Sequence, residues 1–187
     1  YLTIDTINNE TYVYKTRILQ QEIKVAQHVI RLCENKTTVV HDIDIDSIEK
    51  ENGFCYNEGQ KAAFPAVKKS GVKIITGPPG SGKTAIIKGL IAAYKSENKT
   101  GIVELSATTG AAAQVIKKSC GENGQTVHKL LNLRPCGDIV LCKSEGDPID
   151  AGLIIVDEVS MLDLEIASYL FPAVRNGAII ILCGDDN

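Results

Sequence analysis

Short apolar runs and amphipathic segments alternate along most of the chain. Four apolar runs have the length of a buried strand, and they cover residues 72–76, 101–105, 153–156 and 178–183. Apolar residues also recur three and four positions apart, the spacing of one helical face, in residues 85–94, 111–116 and 162–174. Strands that alternate with helices predict a doubly wound α/β domain, with a parallel sheet flanked by helices.

The first 34 residues have a different pattern. Residues 1–15 alternate only weakly and contain one candidate strand, at positions 11–14. Residues 16–34 have a helical period, so we predict an amphipathic helix there. Its predicted packing face consists of Leu19, Ile23, Ala26, Ile30 and Cys33. Such a face indicates that the helix packs against another part of the protein.

Aspartates alternate with isoleucines over residues 42–46, which raises the question of a calcium loop. A loop that begins at Asp42 requires glycine at position 47 and glutamate at position 53. The chain has Ser47 and Gly53 there, so a solvated acidic linker is the better interpretation. We therefore predict two parts: residues 1–52, the end of a mostly helical amino-terminal region, and residues 53–187, the main domain.

Two short helices are predicted from their caps. Asn57 and Gln60 have the spacing of a capping box, which places a helix start at residue 57. The alternative role of Gln60 is adenine recognition, because a glutamine amide can donate one hydrogen bond and accept another at the edge of an adenine base. Thr126 caps a second short helix over residues 126–131. Residues 138–142 are a possible additional strand.

Residues 77–84 fit the phosphate-binding pattern G-x-x-x-x-G-K-[ST] at every fixed position. A predicted strand precedes them and a predicted helix follows, as a loop that curls its N–H groups around a polyphosphate requires. In this interpretation Lys83 binds the β- and γ-phosphates of ATP, and the Thr84 hydroxyl is a ligand of Mg²⁺. The alternative is an accidental glycine turn. The predicted nucleotide-binding residues are Gln60, Gly77, Pro78, Pro79, Gly80, Ser81, Gly82, Lys83 and Thr84.

A pair of acidic residues follows the apolar run at 153–156. A carboxylate at the end of a buried strand is able to hold Mg²⁺ beside a phosphate loop, and we assign this role to Asp157. Glu158 then orients or deprotonates the attacking water. The alternative is an acidic turn without a catalytic role. The candidate catalytic residues are therefore Lys83, Asp157 and Glu158.

Charge is distributed unevenly along the chain. The net charge is −3, but residues 1–60 carry −4, residues 61–100 carry +7 and residues 101–187 carry −6. The basic segment contains the phosphate loop, so polyphosphate and a nucleic-acid backbone are plausible partners there. Exposed lysines on a solvated helix are the alternative explanation.

Cysteine spacing and hydropathy exclude several classes of protein. The six cysteines form no C-x-x-C pair and have no histidine at zinc-finger spacing, so we expect no metal site of that type and a reducing, cytoplasmic compartment. No apolar run approaches the roughly 18 residues of a membrane span, so we expect no membrane partner. The chain starts at Tyr1 and stops at Asn187 directly after an apolar run, so we expect a fragment.

Taken together, these motifs resemble those of superfamily 1B DNA helicases of the RecD-like group, the exodeoxyribonuclease V alpha subunit and its stand-alone relatives. The resemblance covers roughly residues 12–187. Gln60 matches the adenine-contacting glutamine, and residues 77–84, 105–113 and 155–163 match motifs I, Ia and II. Residues 126–131 match the group's T-[IV]-H-x-L-L block, and Gly184 with Asp185 would open motif III.

The resemblance implies a RecA-like first motor domain, 1A, of an ATP-dependent 5′-to-3′ DNA helicase acting in recombination and repair. It implies ATP and Mg²⁺ as cofactors, single-stranded DNA as a partner, and a second motor domain that this chain lacks. Subunits of a nuclease complex are possible further partners. The candidate strand contacts are Thr108, Thr109, Thr126 and His128. Each of these four is alternatively a helix cap or a core group.

The chain departs from the family pattern at three positions. Motif Ia usually has proline where this chain has Thr108 and a bulky basic residue where it has Ala111. Pro65 interrupts the helix that carries Gln60.

Two other classes of function stay open: a P-loop ATPase that does not translocate, and a nucleotide-binding module without turnover.

Overall fold

Nine strands and seven helices lie in the part of the chain that the computed structural model describes, residues 1–121, 124–136 and 139–185. The helices are α1 (Thr16–Glu34), α2 (Ile45–Asn52), α3 (Glu58–Lys61), α4 (Lys83–Glu97), α5 (Gly110–Cys120), α6 (Val127–Leu130) and α7 (Leu164–Ala173). The strands are β1 (Leu2–Ile7), β2 (Glu10–Lys15), β3 (Gly71–Thr76), β4 (Val103–Ala107), β5 (Gly124–Thr126), β6 (Arg134–Cys136), β7 (Ile139–Leu141), β8 (Leu153–Asp157) and β9 (Ile179–Gly184). None of the helices in these residues combines the length and apolar character needed to cross a membrane.

The central sheet contains five strands in the order β3-β9-β8-β4-β5. Every neighbouring pair is parallel. Helices cover both faces, because the strands alternate their side chains between two hydrophobic clusters. One cluster joins the sheet to α2, α4 and α5, and the other joins it to α1, α6 and α7. The predicted α/β class with a flanked parallel sheet is confirmed.

Strand β8 shows why its sequence is continuously apolar. Leu153 and Ile155 belong to the first cluster, whereas Ile154 and Val156 belong to the second, and all four are fully buried. A strand in the middle of a parallel sheet has helices on both sides, so apolar side chains are favoured at every position. Cys183 in β9 is buried in the same way, as its apolar run predicts.

The limits of α1 are confirmed, but the predicted packing face is wrong. Ile23 and Ile30 are 47% and 55% exposed, whereas Leu32 is 2% exposed and packs with Val25 and Val29 in the second cluster. The helix has two apolar stripes, and its period alone does not distinguish them. Tertiary contacts do: α1 passes so close to β3 that a Cβ at Gly71 would lie 2.9 Å from the Leu32 carbonyl oxygen.

The predicted acidic linker is also wrong in part, because α2 begins within it at Ile45. The Asp44 carboxylate accepts from the Ser47 N–H at 3.0 Å and caps the helix. Ile48 of α2 and Val40 before it are buried in the first hydrophobic cluster. Residues on the amino-terminal side of the predicted boundary therefore pack in the same core as the main domain.

Several strands differ from the prediction because they have few residues or little alternation. The candidate strand at 11–14 is β2, and it pairs antiparallel with β1. Strand β4 starts at Val103, two residues later than predicted, and β5 at the sheet edge was missed. The predicted strand at 138–142 corresponds to β7, which pairs with β6, although Asp138 lies outside the described residues.

Candidate functional site

The carboxyl ends of the five parallel strands meet at one edge of the sheet. Along this edge lie, in order, the phosphate loop after β3, Asp185 after β9, Asp157 and Glu158 at β8, Thr108 and Thr109 after β4, and Thr126 and His128 at β5. Strand β9 is the last in sequence but lies between β3 and β8. Asp185 is therefore placed between the phosphate loop and the acidic pair, which the order of the motifs along the chain does not indicate.

The phosphate loop is supported by Gln60. Gly82 has a φ of 87°, and a Cβ at this position would lie 2.5 Å from Gln60 Nε2. Gln60 Nε2 donates to the Ser81 carbonyl at 3.0 Å, while Gln60 Oε1 accepts from the Asn57 N–H at 3.1 Å. The Asn57 side chain accepts in turn from the Gln60 N–H, so the predicted capping box is confirmed. The contact of Gln60 with adenine stays a prediction.

Lys83 is held by three oxygen atoms at the loop. Its Nζ donates to the carbonyls of Gly77 at 2.8 Å and Pro78 at 3.3 Å, and it forms an ion pair with the Asp185 carboxylate. Both side chains of this ion pair are largely buried. The sequence placed Asp185 at the opening of motif III without giving it a role. The pairing with Lys83 makes it a site residue.

Asp157 and Glu158 occupy the next position along the edge. Burial raises the pKa of the Asp157 carboxyl, and the Asp185 charge adds to this, while the Glu158 N–H and the Lys83 ammonium lower it. Asp157 Oδ1 accepts from the Glu158 N–H at 3.0 Å. The Glu158 backbone is left-handed, with φ 56° and ψ 39°. The Asp157 carboxylate is thus close to the Lys83–Asp185 pair, and Glu158 is the next residue in the chain.

The groups around the loop fit a magnesium–nucleotide complex. Helix α4 has 15 residues and starts at Lys83, so its first N–H groups and its partial positive charge face the loop. A Cβ at Gly80 would meet no atom within 4 Å, so this side of the loop is open to a ligand. The Thr84 hydroxyl and the Asp157 carboxylate are hard oxygen donors of the kind that Mg²⁺ prefers.

The four predicted strand contacts follow β4 and β5 along this edge, and the hydroxyl groups of the three threonines already form hydrogen bonds. Thr109 accepts from the Ala112 N–H at 3.2 Å and caps α5, and Thr126 accepts from the Lys129 N–H at 3.3 Å and caps α6. Thr108 donates to the Glu158 carbonyl at 3.2 Å. His128 is exposed. The capping alternative is therefore confirmed for Thr109 and Thr126, and their contact with DNA stays a prediction.

A phosphate loop after one parallel strand and an acidic pair after another define a P-loop nucleotide-binding domain. The chain belongs to the AAA_19 family, described as an AAA domain, which matches residues 60–187. This match covers Gln60, the phosphate loop, the acidic pair and Asp185.

Individual relatives confirm the resemblance to the RecD-like group. The ATP-dependent DNA helicase dda of Enterobacteria phage T4 is 35% identical over 139 aligned positions, and the match covers 69% of this chain and 31% of that protein. The ATP-dependent RecD2 DNA helicase of Deinococcus radiodurans is 30% identical over 176 residues, which are 94% of this chain and 24% of that protein. The RecBCD enzyme subunit RecD of Haemophilus influenzae is 27% identical over 199 aligned positions. This match covers 92% of this chain and 31% of that protein.

The chain thus spans about a quarter to a third of the length of these relatives, between 24% and 31%. Among solved structures, the UvsW helicase from bacteriophage T4 superposes with a TM-score of 0.57 over 79% of this chain and 62% of that one. Its identity of 12% means that this likeness concerns the fold alone.

Proposed function

We propose that this chain is the ATP-binding and hydrolysing motor domain of a 5′-to-3′ DNA helicase that acts in DNA recombination and repair. The observation that carries the proposal is the row of groups at the carboxyl edge, in which the phosphate loop, Asp185 and the acidic pair are neighbours. Two relatives of this chain are named as ATP-dependent DNA helicases, which supports a motor rather than a switch.

In the proposed mechanism, Lys83 exchanges the Asp185 carboxylate for the β- and γ-phosphates of ATP. Thr84 and Asp157 would hold Mg²⁺, which would neutralise phosphate charge. Glu158 accepts a proton from the attacking water. The backbone of the loop, supported by Gln60, positions the phosphates.

The proposed partners follow from the same edge. Single-stranded DNA would pass over the ends of β4 and β5, where Thr108, Thr109, Thr126 and His128 lie. A second motor domain would close over the nucleotide site and would supply an arginine to the transferred phosphate. Subunits of a nuclease complex are further proposed partners. We also propose a cytoplasmic location, where the cysteine thiols would stay reduced.

The proposal is tested by ATP hydrolysis of the full-length protein with and without single-stranded DNA. We expect stimulation by DNA in the wild type. Lys83→Ala should lose tight ATP binding, because the cation that faces the phosphates is removed. Glu158→Gln should keep Mg-ATP binding but lose 100-fold or more in turnover, because an amide does not accept the proton. The matched controls are Lys99→Ala and Glu51→Gln, which change exposed residues.

Each alternative class predicts a different outcome. A P-loop ATPase that does not translocate would hydrolyse ATP without DNA stimulation and would not displace a strand from a forked duplex. A nucleotide-binding module would bind ATP and release it unchanged. Normal turnover in Glu158→Gln would move the catalytic base to another residue, and unchanged ATP affinity in Lys83→Ala would contradict the phosphate-loop assignment.

A further inference from the structure

Glu158 has a backbone conformation that few residues other than glycine adopt. Its φ of 56° and ψ of 39° lie in the left-handed region, where the Cβ of an L-residue is crowded by the following carbonyl. Residues remain in this region when the surrounding structure holds them there. The contacts of the Glu158 main chain therefore determine the direction in which its side chain leaves the backbone.

Both main-chain polar groups of Glu158 are bound. The Glu158 N–H donates to the Asp157 carboxylate at 3.0 Å. Its carbonyl accepts from the Met161 N–H at 3.0 Å and from the Thr108 hydroxyl at 3.2 Å. Asp157 and Met161 are near neighbours in the sequence, whereas Thr108 follows a different strand. The Thr108 bond is therefore a hydrogen bond that ties the Glu158 carbonyl to the end of the neighbouring strand β4.

The register of the sheet places Thr108 at this carbonyl. Strands β4 and β8 are parallel, with Ala107 opposite Asp157, so Thr108 and Glu158 are the next residues beyond the paired ends. Thr108 is half-buried and immediately precedes Thr109, the cap of α5. A threonine hydroxyl has one hydrogen to donate, and here it goes to Glu158. Donation from Thr108 to a DNA phosphate would require this bond to break.

We propose that Thr108 is a positioning residue for Glu158. Its hydroxyl holds the Glu158 carbonyl, and with it the left-handed backbone, so that the carboxylate keeps one orientation for proton transfer. Thr108 acts through Glu158 and does not itself touch the nucleotide or the water. This inference rests on the proposed role of Glu158 as the catalytic base.

The test compares Thr108→Val, Thr108→Ser and the wild type in the full-length protein. Valine keeps the shape of threonine without the hydroxyl, and serine keeps the hydroxyl. We expect Thr108→Val to lower kcat roughly tenfold, the effect of one lost hydrogen bond, with the KM for ATP unchanged. Thr108→Ser should retain kcat within about twofold of the wild type.

A second readout does not depend on activity. The Met161 N–H shares the Glu158 carbonyl with Thr108. Loss of the Thr108 bond should therefore speed hydrogen exchange of the Met161 amide in the 187-residue chain carrying Thr108→Val, but not in Thr108→Ser. If the valine variant does not fold, Thr108→Ala replaces it in the same comparison with serine.

Three outcomes would overturn the inference. The first is a Thr108→Val variant with wild-type kcat and wild-type exchange at Met161. The second is equal loss in the serine and valine variants, which would indicate packing rather than the hydroxyl. The third concerns the double variant Thr108→Val with Glu158→Gln. If Thr108 acts through Glu158, the two losses of kcat should not multiply in this variant, so a fully multiplied loss would contradict the inference.

The single variant Glu158→Gln separates this inference from the proposed function. Normal turnover in Glu158→Gln overturns both, since Glu158 would not be the base. Slow turnover in Glu158→Gln, together with normal turnover in Thr108→Val, leaves the proposed function in place and overturns the positioning role alone.

Discussion

The Lys83 ammonium and the Asp185 carboxylate form a largely buried ion pair at the phosphate loop. A phosphate that binds the same ammonium must compete with this carboxylate. Asp185→Asn removes the competing charge and keeps the size of the side chain, so we expect the chain to bind a fluorescent ATP analogue several-fold more tightly. Titration checks this, with Asp42→Asn at an exposed position as the control. Weaker binding in Asp185→Asn would show instead that Asp185 helps to hold the nucleotide.

Asp157 is predicted to reduce the stability of the folded chain at neutral pH. Burial raises its pKa above the unfolded value, so the folded state disfavours the ionised carboxylate. This lowers the free energy of unfolding at any pH above the raised pKa. The effect fades as the pH falls towards about 4, the pKa of an aspartate in the unfolded chain. We therefore expect Asp157→Asn to raise the Tm at pH 7, and the difference from the wild type to shrink at acidic pH.

The same Asp157 variant should lose its response to magnesium. Added Mg-ATP should raise the Tm of the wild-type chain more than that of Asp157→Asn, because the amide is a weaker Mg²⁺ ligand than the carboxylate. Thermal melting with and without Mg-ATP measures both effects on one variant. A lower Tm in Asp157→Asn at pH 7 would contradict the prediction that this carboxylate costs stability.

The Gln60 side chain forms two hydrogen bonds, and different substitutions remove one or both of them. Glutamate at position 60 still accepts from the Asn57 N–H, but it has no hydrogen to donate to the Ser81 carbonyl. We expect Gln60→Glu to keep its Tm and to bind ATP more weakly. Gln60→Ala should also lose stability, on the order of 1 kcal/mol or less.

Competition between ATP and GTP tests the adenine role of Gln60 separately. We expect Gln60→Ala to discriminate less between the two nucleotides, because the amide that would contact adenine is absent. Intact selectivity, with only a loss of stability and of loop support, would limit Gln60 to the cap and the phosphate loop.

At the scale of elements, α1 shows how tertiary contacts choose between two apolar stripes. Arg31 of α1 donates to the carbonyls of Phe171 at 3.2 Å and Val174 at 2.8 Å, at the end of α7. The Phe171 carbonyl also accepts from the Val174 N–H at 3.3 Å, so Arg31 adds a second bond there and binds the Val174 carbonyl beyond the last turn. The Arg31 bonds also turn α1 so that Leu32, rather than Ile30, faces the sheet.

Two substitutions in α1 should therefore have very different effects on stability. Leu32→Ala should lower the free energy of unfolding by about 2 to 5 kcal/mol, because it opens a cavity under the helix. Ile30→Ala, the matched control, should change it by about 0.5 kcal/mol or less, because this side chain is mostly in solvent. Urea denaturation of both variants measures the difference. Equal losses would show that the stripe containing Ile30 is buried.

At the scale of the whole molecule, the positions of the arginines predict low activity for this chain alone. The chain has four arginines, at positions 17, 31, 134 and 175. Arg175 binds the Ala151 carbonyl at 3.0 Å, next to the start of β8 and thus at the edge opposite the phosphate loop. Arg17 pairs with Glu165 and Arg134 with Asn132. An arginine finger supplies about 10³ to 10⁵ in the rate of phosphoryl transfer.

We therefore expect residues 1–187 to bind Mg-nucleotide weakly and to hydrolyse it scarcely at all, with or without single-stranded DNA. In the proposed mechanism, stimulation by DNA would need two motor domains that close over nucleotide and strand. Phosphate release at high protein concentration, with Lys83→Ala as the background control, measures the residual activity. Several-fold acceleration by DNA in the purified chain would show that one domain suffices, and would contradict the two-domain proposal.

Local patterns in the sequence determined much of this protein. The phosphate loop, the buried strands β8 and β9, the limits of α1 and the caps at Asn57 and Thr126 were all predicted correctly. Each depends on interactions within about ten residues, such as a cap bond, a helical period or the backbone freedom of glycine. The short or edge strands β1, β5 and β6 were missed, because three to six residues with little burial leave no clear period.

Tertiary structure alone decided how these elements meet. The insertion of β9 between β3 and β8 places Asp185 against Lys83, although 102 residues separate them. The register of β4 on β8 sets Thr108 against Glu158, and the contacts with β3 and α7 select the buried face of α1. Strand order and helix rotation depend on packing between distant segments, and a pattern along one segment contains no information about its eventual neighbour.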